Sequence, residues 1–493
     1  MKFISTRGSE KKVTSAQAIS MGIADDGGLY VPESFPKIDN KELESMLGMS
    51  YPERTAFVLS KYLTDYDEKE LLTAIEKAYK KFDGDPAPLV KVDSGVYILE
   101  LFHGPTHAFK DMALTVLPYL LKKGCELSGI KENVLILTAT SGDTGKAALE
   151  GFKDAENTKI MVFYPSDGVS KMQKLQMATQ EGENVGVSAV VGNFDDCQTA
   201  VKNIFNDSEV RAKLKEKGYV FSSANSINFG RLAPQIAYYF SAYLDLVTSD
   251  QIKFGDKINF CVPTGNFGNI LAAYYALRMG LPINKLICAS NKNKILTDFI
   301  TTGKYDVKRN FHKTMSPSMD ILISSNLERL LFELSNRNGE EITKLMSALK
   351  DKKEYTVSKE MLDKIQEVFY AGTSNEDETL ETVYEFFDEY NYPLDPHTAV
   401  GVKVTKDFNQ QFESDTITVN VSTASPYKFP REVYYCITGN EISDCFKAAK
   451  KLNIDTAMPI PKSLLKLKNK KVRFKNVIKR EEMLSAVMSF VEE

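Results

Sequence analysis

Gly95-Val96-Tyr97-Ile98-Leu99-Glu100-Leu101 runs directly into Phe102-His103-Gly104-Pro105-Thr106-His107-Ala108-Phe109-Lys110-Asp111-Met112. The first seven residues read as a buried strand, and Asp111 to Leu121 carries the apolar spacing of a helix. The loop between them is punctuated by Gly and Pro and ends in Lys110, at a strand-to-helix junction where sites of α/β folds lie. Desolvation penalises the charge of a lysine in such an apolar loop and lowers its pKa. The same lowering frees the neutral amine to attack an aldehyde, which makes Lys110 a candidate Schiff-base former. A lysine opening a helix more often has a buried stem and a solvated head, so the decision rests on the other loops.

Outward from this segment, short apolar strands alternate with helical stretches as far as about residue 291. The strands are Val134–Leu137, Ile160–Tyr164, Val187–Val191, Val220–Ser223, Ile258–Val262 and Leu286–Ala289. This alternation predicts an α/β fold with parallel sheet covered on both faces. Residues 1–92 read as a separate, mostly helical unit, with helices over Thr14–Met21, Ala56–Leu63 and Lys69–Phe82 and an extended piece before Pro32. The catalytic region is assigned to 93–430, with a small lobe at about 112–235. Within it, the charged stretch of about 340–390 reads as an exposed helical insertion whose acidic run Asn375-Glu376-Asp377-Glu378 is a solvated face. A last strand, Ile417–Ser422, follows. Residues 431–493 are expected to pack on the large lobe, and the basic run Lys462 to Arg480 is read as solvated surface.

Bulk properties narrow the classes. With 493 residues, two or three domains are expected. A net charge of -4 gives no sign of a nucleic-acid or anionic-membrane partner. The N-terminus lacks a long apolar segment and no run approaches a membrane span, so a cytoplasmic protein is expected. Six scattered cysteines and four histidines show no metal-ligand spacing, so free thiols and no metal are expected.

Four more loops carry chemistry. Ile258 to Val262 leads into Pro263-Thr264-Gly265-Asn266-Phe267-Gly268-Asn269-Ile270, a strand, a Gly-rich loop and a helix start suited to cradling phosphate. Its glycine spacing is not that of a dinucleotide fold. Thr138-Ala139-Thr140-Ser141-Gly142-Asp143-Thr144-Gly145-Lys146-Ala147 resembles a nucleotide-binding P-loop, but Thr140 replaces its first glycine and Ala147 its metal-binding hydroxyl. The hydroxyls of Thr140, Ser141 and Thr144 suit a carboxylate instead. Ser222-Ser223-Ala224-Asn225-Ser226-Ile227-Asn228-Phe229-Gly230-Arg231 ends in a guanidinium suited to a second oxyanion. Val421-Ser422-Thr423-Ala424-Ser425-Pro426 closes the last strand with hydroxyls that can meet a ring nitrogen without charging it. For each loop alone a capped turn is an adequate explanation. Together they supply what pyridoxal 5'-phosphate requires: an amine, phosphate donors and a partner for the pyridine nitrogen.

His103-Gly104-Pro105-Thr106 with Phe109-Lys110-Asp111, Thr140 through Gly145, Asn225 through Asn228 and Gly265 through Asn269 together resemble threonine synthases. Ser5-Thr6-Arg7-Gly8, Gly27-Gly28-Leu29-Tyr30-Val31-Pro32 and Asp395-Pro396-His397-Thr398-Ala399-Val400-Gly401 extend the likeness over nearly the whole chain. The resemblance implies a fold type II pyridoxal-phosphate architecture, tryptophan synthase β-like, with two α/β lobes and a small N-terminal domain. It implies conversion of O-phospho-L-homoserine and water to L-threonine and phosphate, by a monomer or homodimer. Lys110 would then hold the cofactor aldehyde beside Phe109, Gly265, Asn266, Phe267, Gly268 and Asn269 its phosphate, and Thr423 its ring nitrogen. Thr140, Ser141, Asp143 and Thr144 lie on the loop implied for the substrate carboxylate. Lys146, Ser226, Asn228 and Arg231 are the candidates for the substrate phosphate. Ser425 stands where the family often has His. The nearest rivals are a serine/threonine dehydratase or a phospho-amino-acid lyase of the same architecture. The roles of His103, His107 and His397 are left open.

Overall fold

The apolar runs that alternate with helices become two parallel sheets. The computed structural model describes residues 1–140, 142–167 and 169–492. The larger sheet has six strands in the order Phe369–Thr373, Ile283–Ser290, Ile258–Pro263, Thr418–Ser422, Val96–Glu100 and Leu89–Asp93. All its pairings are parallel except the last, an antiparallel hairpin at one edge. The smaller sheet is parallel throughout: Val477–Ile478, Val185–Val190, Thr158–Pro165, Asn133–Ala139 and Tyr219–Ser222. Every residue of Ile258–Pro263, Thr418–Ser422 and Val185–Val190 is buried. Helices cover both faces of a parallel sheet, so both faces of these strands are buried, the polar Thr418, Asn420 and Ser422 included.

The chain leaves the larger sheet after Val96–Glu100, builds the smaller one between Asn133 and Ser222, and returns at Ile258–Pro263. Lys110 and Arg231 therefore lie on the two segments that cross between the lobes. The N-terminal unit carries its own three-stranded antiparallel sheet, Val13–Thr14, Lys2–Ser5 and Tyr30–Pro32. Thr14 starts the helix Ser15–Met21 with a capping box to Gln17. This unit is tied to the lobes by buried polar contacts: Arg329 donates to the carbonyls of Tyr30 at 3.1 Å, Ser226 at 3.2 Å and Ile227 at 2.6 Å. Glu328 accepts from Thr6 Oγ1 at 2.7 Å and pairs with Arg7 at 3.0 Å.

Three expectations are corrected. The helix read as Asp111 to Leu121 is two helices, Asp111–Leu114 and Leu117–Leu127. Pro118 has no N–H to give the Leu114 carbonyl, so the first helix ends there. Gly151 packs against that released carbonyl, where any Cβ would collide with it.

The stretch 340–390 is not purely an exposed helical insertion. Between its helices Gly339–Lys352, Lys359–Val368 and Glu376–Tyr390 lie Glu354–Thr356, paired with Lys304–Asp306, and Phe369–Thr373, the edge of the larger sheet. The acidic run there is a helix start, where Asn375 and Glu378 form a capping box.

The C-terminal segment reaches both lobes rather than the large one alone. Val477–Ile478 adds a strand to the smaller sheet, and Met483, Val487 and Phe490 pack into that sheet's apolar cluster with Leu135 and Met161. The six cysteines are unpaired and buried.

Candidate active site

Two strand ends define where Lys110 sits. Val96–Glu100 and Thr418–Ser422 are neighbours, and their pairing continues past both ends: Leu101 N–H donates to Ser422 O at 3.0 Å and Phe109 N–H to Thr423 O at 2.8 Å. An antiparallel bridge joins Ala108 to Ala424. The intervening loop is held by Asp111, whose carboxylate accepts from Thr106 N–H at 2.7 Å and Thr106 Oγ1 at 2.6 Å. Gly104 is required here because a Cβ would fall on that carboxylate. The spacing from Gly104 through Thr106 to Asp111 is thus the loop's own staple, and it fixes the backbone that presents Lys110.

Burial pushes the Lys110 amine down to about 8. Asp143 opposes that shift, while Arg231 and Lys428 add to it. Lys110 Nζ lies 4.0 Å from Asp143 Oδ2 and 5.3 Å from the centre of the Phe109 ring. About a tenth of such an amine is neutral at pH 7, far more than for an ordinary lysine, and the neutral form is the nucleophile.

The Gly-rich loop after Ile258–Pro263 ends with Phe267 in the left-handed region, φ 62°, and opens the helix Gly268–Met279. Ser324 Oγ donates to Gly265 O at 2.7 Å and Asn326 N–H to Asn266 O at 3.2 Å. The Asn269 amide oxygen takes the hydroxyls of Tyr238 and Tyr239. That orients its Nδ2, a buried donor without a partner inside the protein. Asn266 Oδ1 is likewise unpartnered. Unsatisfied buried polar atoms beside a helix N-terminus mark a ligand's place, and donors there suit a phosphate. The site therefore fits pyridoxal phosphate: amine, phosphate donors and the Thr423 hydroxyl border one cavity.

That cavity has a volume of about 640 Å³. Its lining includes Lys110, Thr144, Ser226, Arg231, Gly265 and Thr423, and also Phe109, Thr140 and the remainder of the Gly-rich loop. Three predicted residues do not line it. Lys146 turns away, donating to Glu150 at 2.9 Å and to Gln180. Asn228 caps the helix Phe229–Leu232 by accepting from Gly230 N–H at 2.9 Å, and its amide donates to Ile19 O at 2.9 Å and Ser223 O at 3.0 Å. Asp143 is held from behind by Lys428 at 2.7 Å and Gln173 at 2.8 Å, and Ser318 Oγ donates to it at 3.1 Å. Burial alone would raise the Asp143 carboxyl, but Lys428 and Lys110 hold it well below the usual carboxylate range. The Asp143 side chain is thus a charge partner of the lysines and offers a substrate carboxylate no donor. Thr140 spends its oxygen on Gly142 N–H at 2.9 Å and Gly145 N–H at 2.8 Å, which shapes the loop. Ser141 lies outside the described residues.

Arg231 is buried, and burial lowers its guanidinium to about 10. His397 also lines the cavity: Nδ1 meets Asp395 Oδ1 at 2.8 Å and Nε2 accepts from Ser318 N–H at 3.1 Å, which puts the ring proton on Nδ1. His103 instead pairs with Glu100 at 2.7 Å, and His107, with φ 61°, meets Ser463. Both are packed loop residues. Ser425 caps the turn Pro426–Lys428, accepting from Tyr427 N–H at 3.3 Å. Sequence reasoning missed Lys428, whose side chain is fully buried. Its signal was present in Pro426-Tyr427-Lys428-Phe429-Pro430, a lysine among aromatics and prolines as odd as Lys110 itself. Among the described residues no cluster suits a metal ion, and no helix is long and apolar enough to cross a membrane.

Comparison with known proteins gives three family matches in chain order: "Threonine synthase N terminus" over residues 2–79, "Pyridoxal-phosphate dependent enzyme" over 83–423, and "Threonine synthase, C-terminal" over 398–491. The chain is 40% identical to threonine synthase of Pseudomonas aeruginosa, over 88% of this chain and 90% of that protein. It is 42% identical to human threonine synthase-like 1 over 90% of this chain, but spans only 61% of that longer relative. Among solved structures, pyridoxal-phosphate-bound threonine synthase from Brucella melitensis superposes with a TM-score of 0.87 at 38% identity, each chain covered completely. The yeast threonine synthase does so with 0.88 at 33% identity, over 100% of this chain and 98% of that one.

Proposed function

The chain belongs to the threonine synthase family of pyridoxal-phosphate-dependent enzymes, and from that premise we propose that it converts O-phospho-L-homoserine and water to L-threonine and phosphate. One observation carries the reading. A single cavity presents the Lys110 amine, the unpartnered donor of Asn269, and the Arg231 guanidinium with Thr144 and Ser226. Two separate anion-accepting regions flanking one amine match a phosphorylated cofactor and a phosphorylated amino acid together.

In this reading Lys110 holds the cofactor through Nζ, with Phe109 beside it. Gly265, Asn266, Phe267, Gly268 and Asn269 hold its phosphate, and the Thr423 hydroxyl faces its ring nitrogen. Pyridoxal phosphate, when bound, supplies an electron sink for negative charge developing on the amino-acid carbons. Lys110 Nζ, once free, takes a proton from one carbon and returns it to another; an amine near neutrality in both directions suits that double role. Arg231, Thr144 and Ser226 bind the substrate phosphate and orient it for departure. The carboxylate falls to the N–H groups at the start of the helix Asp143–Phe152.

The test is direct assay of phosphate and threonine release from O-phospho-L-homoserine by protein saturated with pyridoxal phosphate. Equimolar threonine and phosphate support the proposal. The second reading is that of a lyase of the same architecture, which would convert the same substrate to phosphate, a 2-oxo acid and ammonia. Those products in place of threonine would establish it.

A further inference from the structure

Lys428 spends all its donors inside the protein: Asp143 Oδ1 at 2.7 Å, Thr106 O at 2.9 Å and Gln176 Oε1 at 3.2 Å. None of its side chain reaches solvent. The other oxygen of Asp143 faces Lys110 Nζ at 4.0 Å. Two lysines from segments far apart in sequence thus share one carboxylate, which stands on the first residue of the helix Asp143–Phe152. Burying a second cation beside a reactive amine is a poor way to gain stability, because the desolvation penalty rivals the attraction recovered. An apolar side chain and a backbone bond elsewhere would hold the Thr106 loop as well. Gln173 and Ser318 also donate to Asp143, at 2.8 and 3.1 Å, but only Lys428 brings a positive charge that competes with Lys110 for it.

We propose that Lys428 is a positioning residue for Lys110: by occupying one oxygen of Asp143, it stops that carboxylate from closing onto the Lys110 amine and leaves the amine free to react with the cofactor aldehyde. The inference rests on Lys110 being the cofactor lysine and is independent of the substrate. The charged groups facing Lys110 are Asp143 and Asp111, which favour its protonation, and Arg231 and Lys428, which oppose it. Those facing Lys428 are Asp143, Asp111, Lys110 and the neutral, buried His107. Removing Lys428 therefore withdraws a repulsion from Lys110 and frees Asp143 to pair with it. Both effects act in the same direction.

The experiment follows uptake of pyridoxal phosphate by cofactor-free protein, as visible absorbance, at a series of pH values. Ionisations of the cofactor are common to all variants and cancel in the comparison. In Lys428→Met the pH midpoint of the uptake rate should rise by about one unit, so that uptake at pH 7 slows about tenfold. Lys428→Arg, which keeps the charge, should titrate with the parent. A folded Lys428→Met protein with the parent's midpoint overturns the proposal, because a purely structural lysine changes amplitude or stability but not the midpoint. If that variant does not fold, Lys428→Gln replaces it, a neutral residue of similar shape whose amide can still donate to Thr106 O. Its midpoint should rise in the same way, and a midpoint equal to the parent's overturns the proposal equally. Absence of uptake in the parent protein would instead overturn the assignment of Lys110.

Discussion

Arg231 Nη2 lies 3.3 Å from Thr144 Oγ1, with Arg231 on the segment returning to the larger sheet and Thr144 on a helix of the smaller lobe. The guanidinium's Nη1 donates to Ala224 O at 2.8 Å, and no carboxylate among the described residues forms an ion pair with it. A buried cation held in place by a backbone carbonyl and a hydroxyl, with donors to spare, is built for an anion that arrives from outside.

Replacing Arg231 by Ala should therefore raise the apparent KM for O-phospho-L-homoserine by about 10- to 100-fold, the scale of a lost charge-assisted hydrogen bond. Cofactor absorbance should be retained. Steady-state kinetics with unchanged KM would remove Arg231 from the substrate site.

Lys146 should behave in the opposite way. It pairs with Glu150 at 2.9 Å outside the cavity, so Lys146→Met should alter KM and kcat less than about twofold while costing about 1–3 kcal/mol of stability, because Glu150 loses its ion-pair partner and keeps only Gln180 at 3.2 Å. Urea unfolding read beside kinetics checks this. A large KM effect at unchanged stability would restore Lys146 to the phosphate site.

Two glycines of the same loop should separate. A Cβ on Gly265 would stand 2.8 Å from Ser318 O, and Gly265→Ala should destabilise the cofactor-free protein by about 1–3 kcal/mol. A Cβ on Gly268 meets only ordinary contacts, Asn326 Nδ2 at 3.4 Å and Ser226 Cβ at 3.6 Å. Gly268→Ala, at a helix start, should leave that stability equal or higher but weaken pyridoxal-phosphate affinity about tenfold or more by keeping phosphate from the backbone. Fluorescence titration with the cofactor decides. Equal affinity in both variants and parent would place the phosphate elsewhere.

Asp111 is pushed up from 3.8 to about 6, chiefly by burial, against the pull of its Thr106 bonds and Lys428. A folded-state pKa above the unfolded one means stability that is full below about pH 4 and lost as pH rises through about 6. The shift is worth about 3 kcal/mol. Asp111→Asn removes this titration while its amide can still serve Thr106. Between pH 4 and 7 the cofactor-free parent should thus lose up to that amount relative to the variant. Parallel stability curves in urea would show that Asp111 titrates normally.

Much of this was readable without coordinates. The alternation of apolar runs and helices anticipated parallel sheet, the family resemblance anticipated its division into two lobes, and Lys110, Gly265 through Asn269 and Thr423 were placed on loops that do meet at one cavity. The edge strand Phe369–Thr373 was hidden because five residues between amphipathic helices lack a period long enough to register. The two-residue strand Val477–Ile478 was hidden for the same reason.

What the sequence determined by itself was local: strand, turn and helix start follow from spacing, from glycines where no Cβ fits, and from hydroxyl or amide caps within a few residues. What only the tertiary structure decided was which polar side chains of those loops are left for a ligand. Lys146 is claimed by Gln180, Asn228 by Ile19, and Asp143 by Lys428, partners brought close by the fold and not by the chain. The physical reason is that a buried donor or acceptor must be satisfied, and the competitor that satisfies it is chosen by three-dimensional proximity.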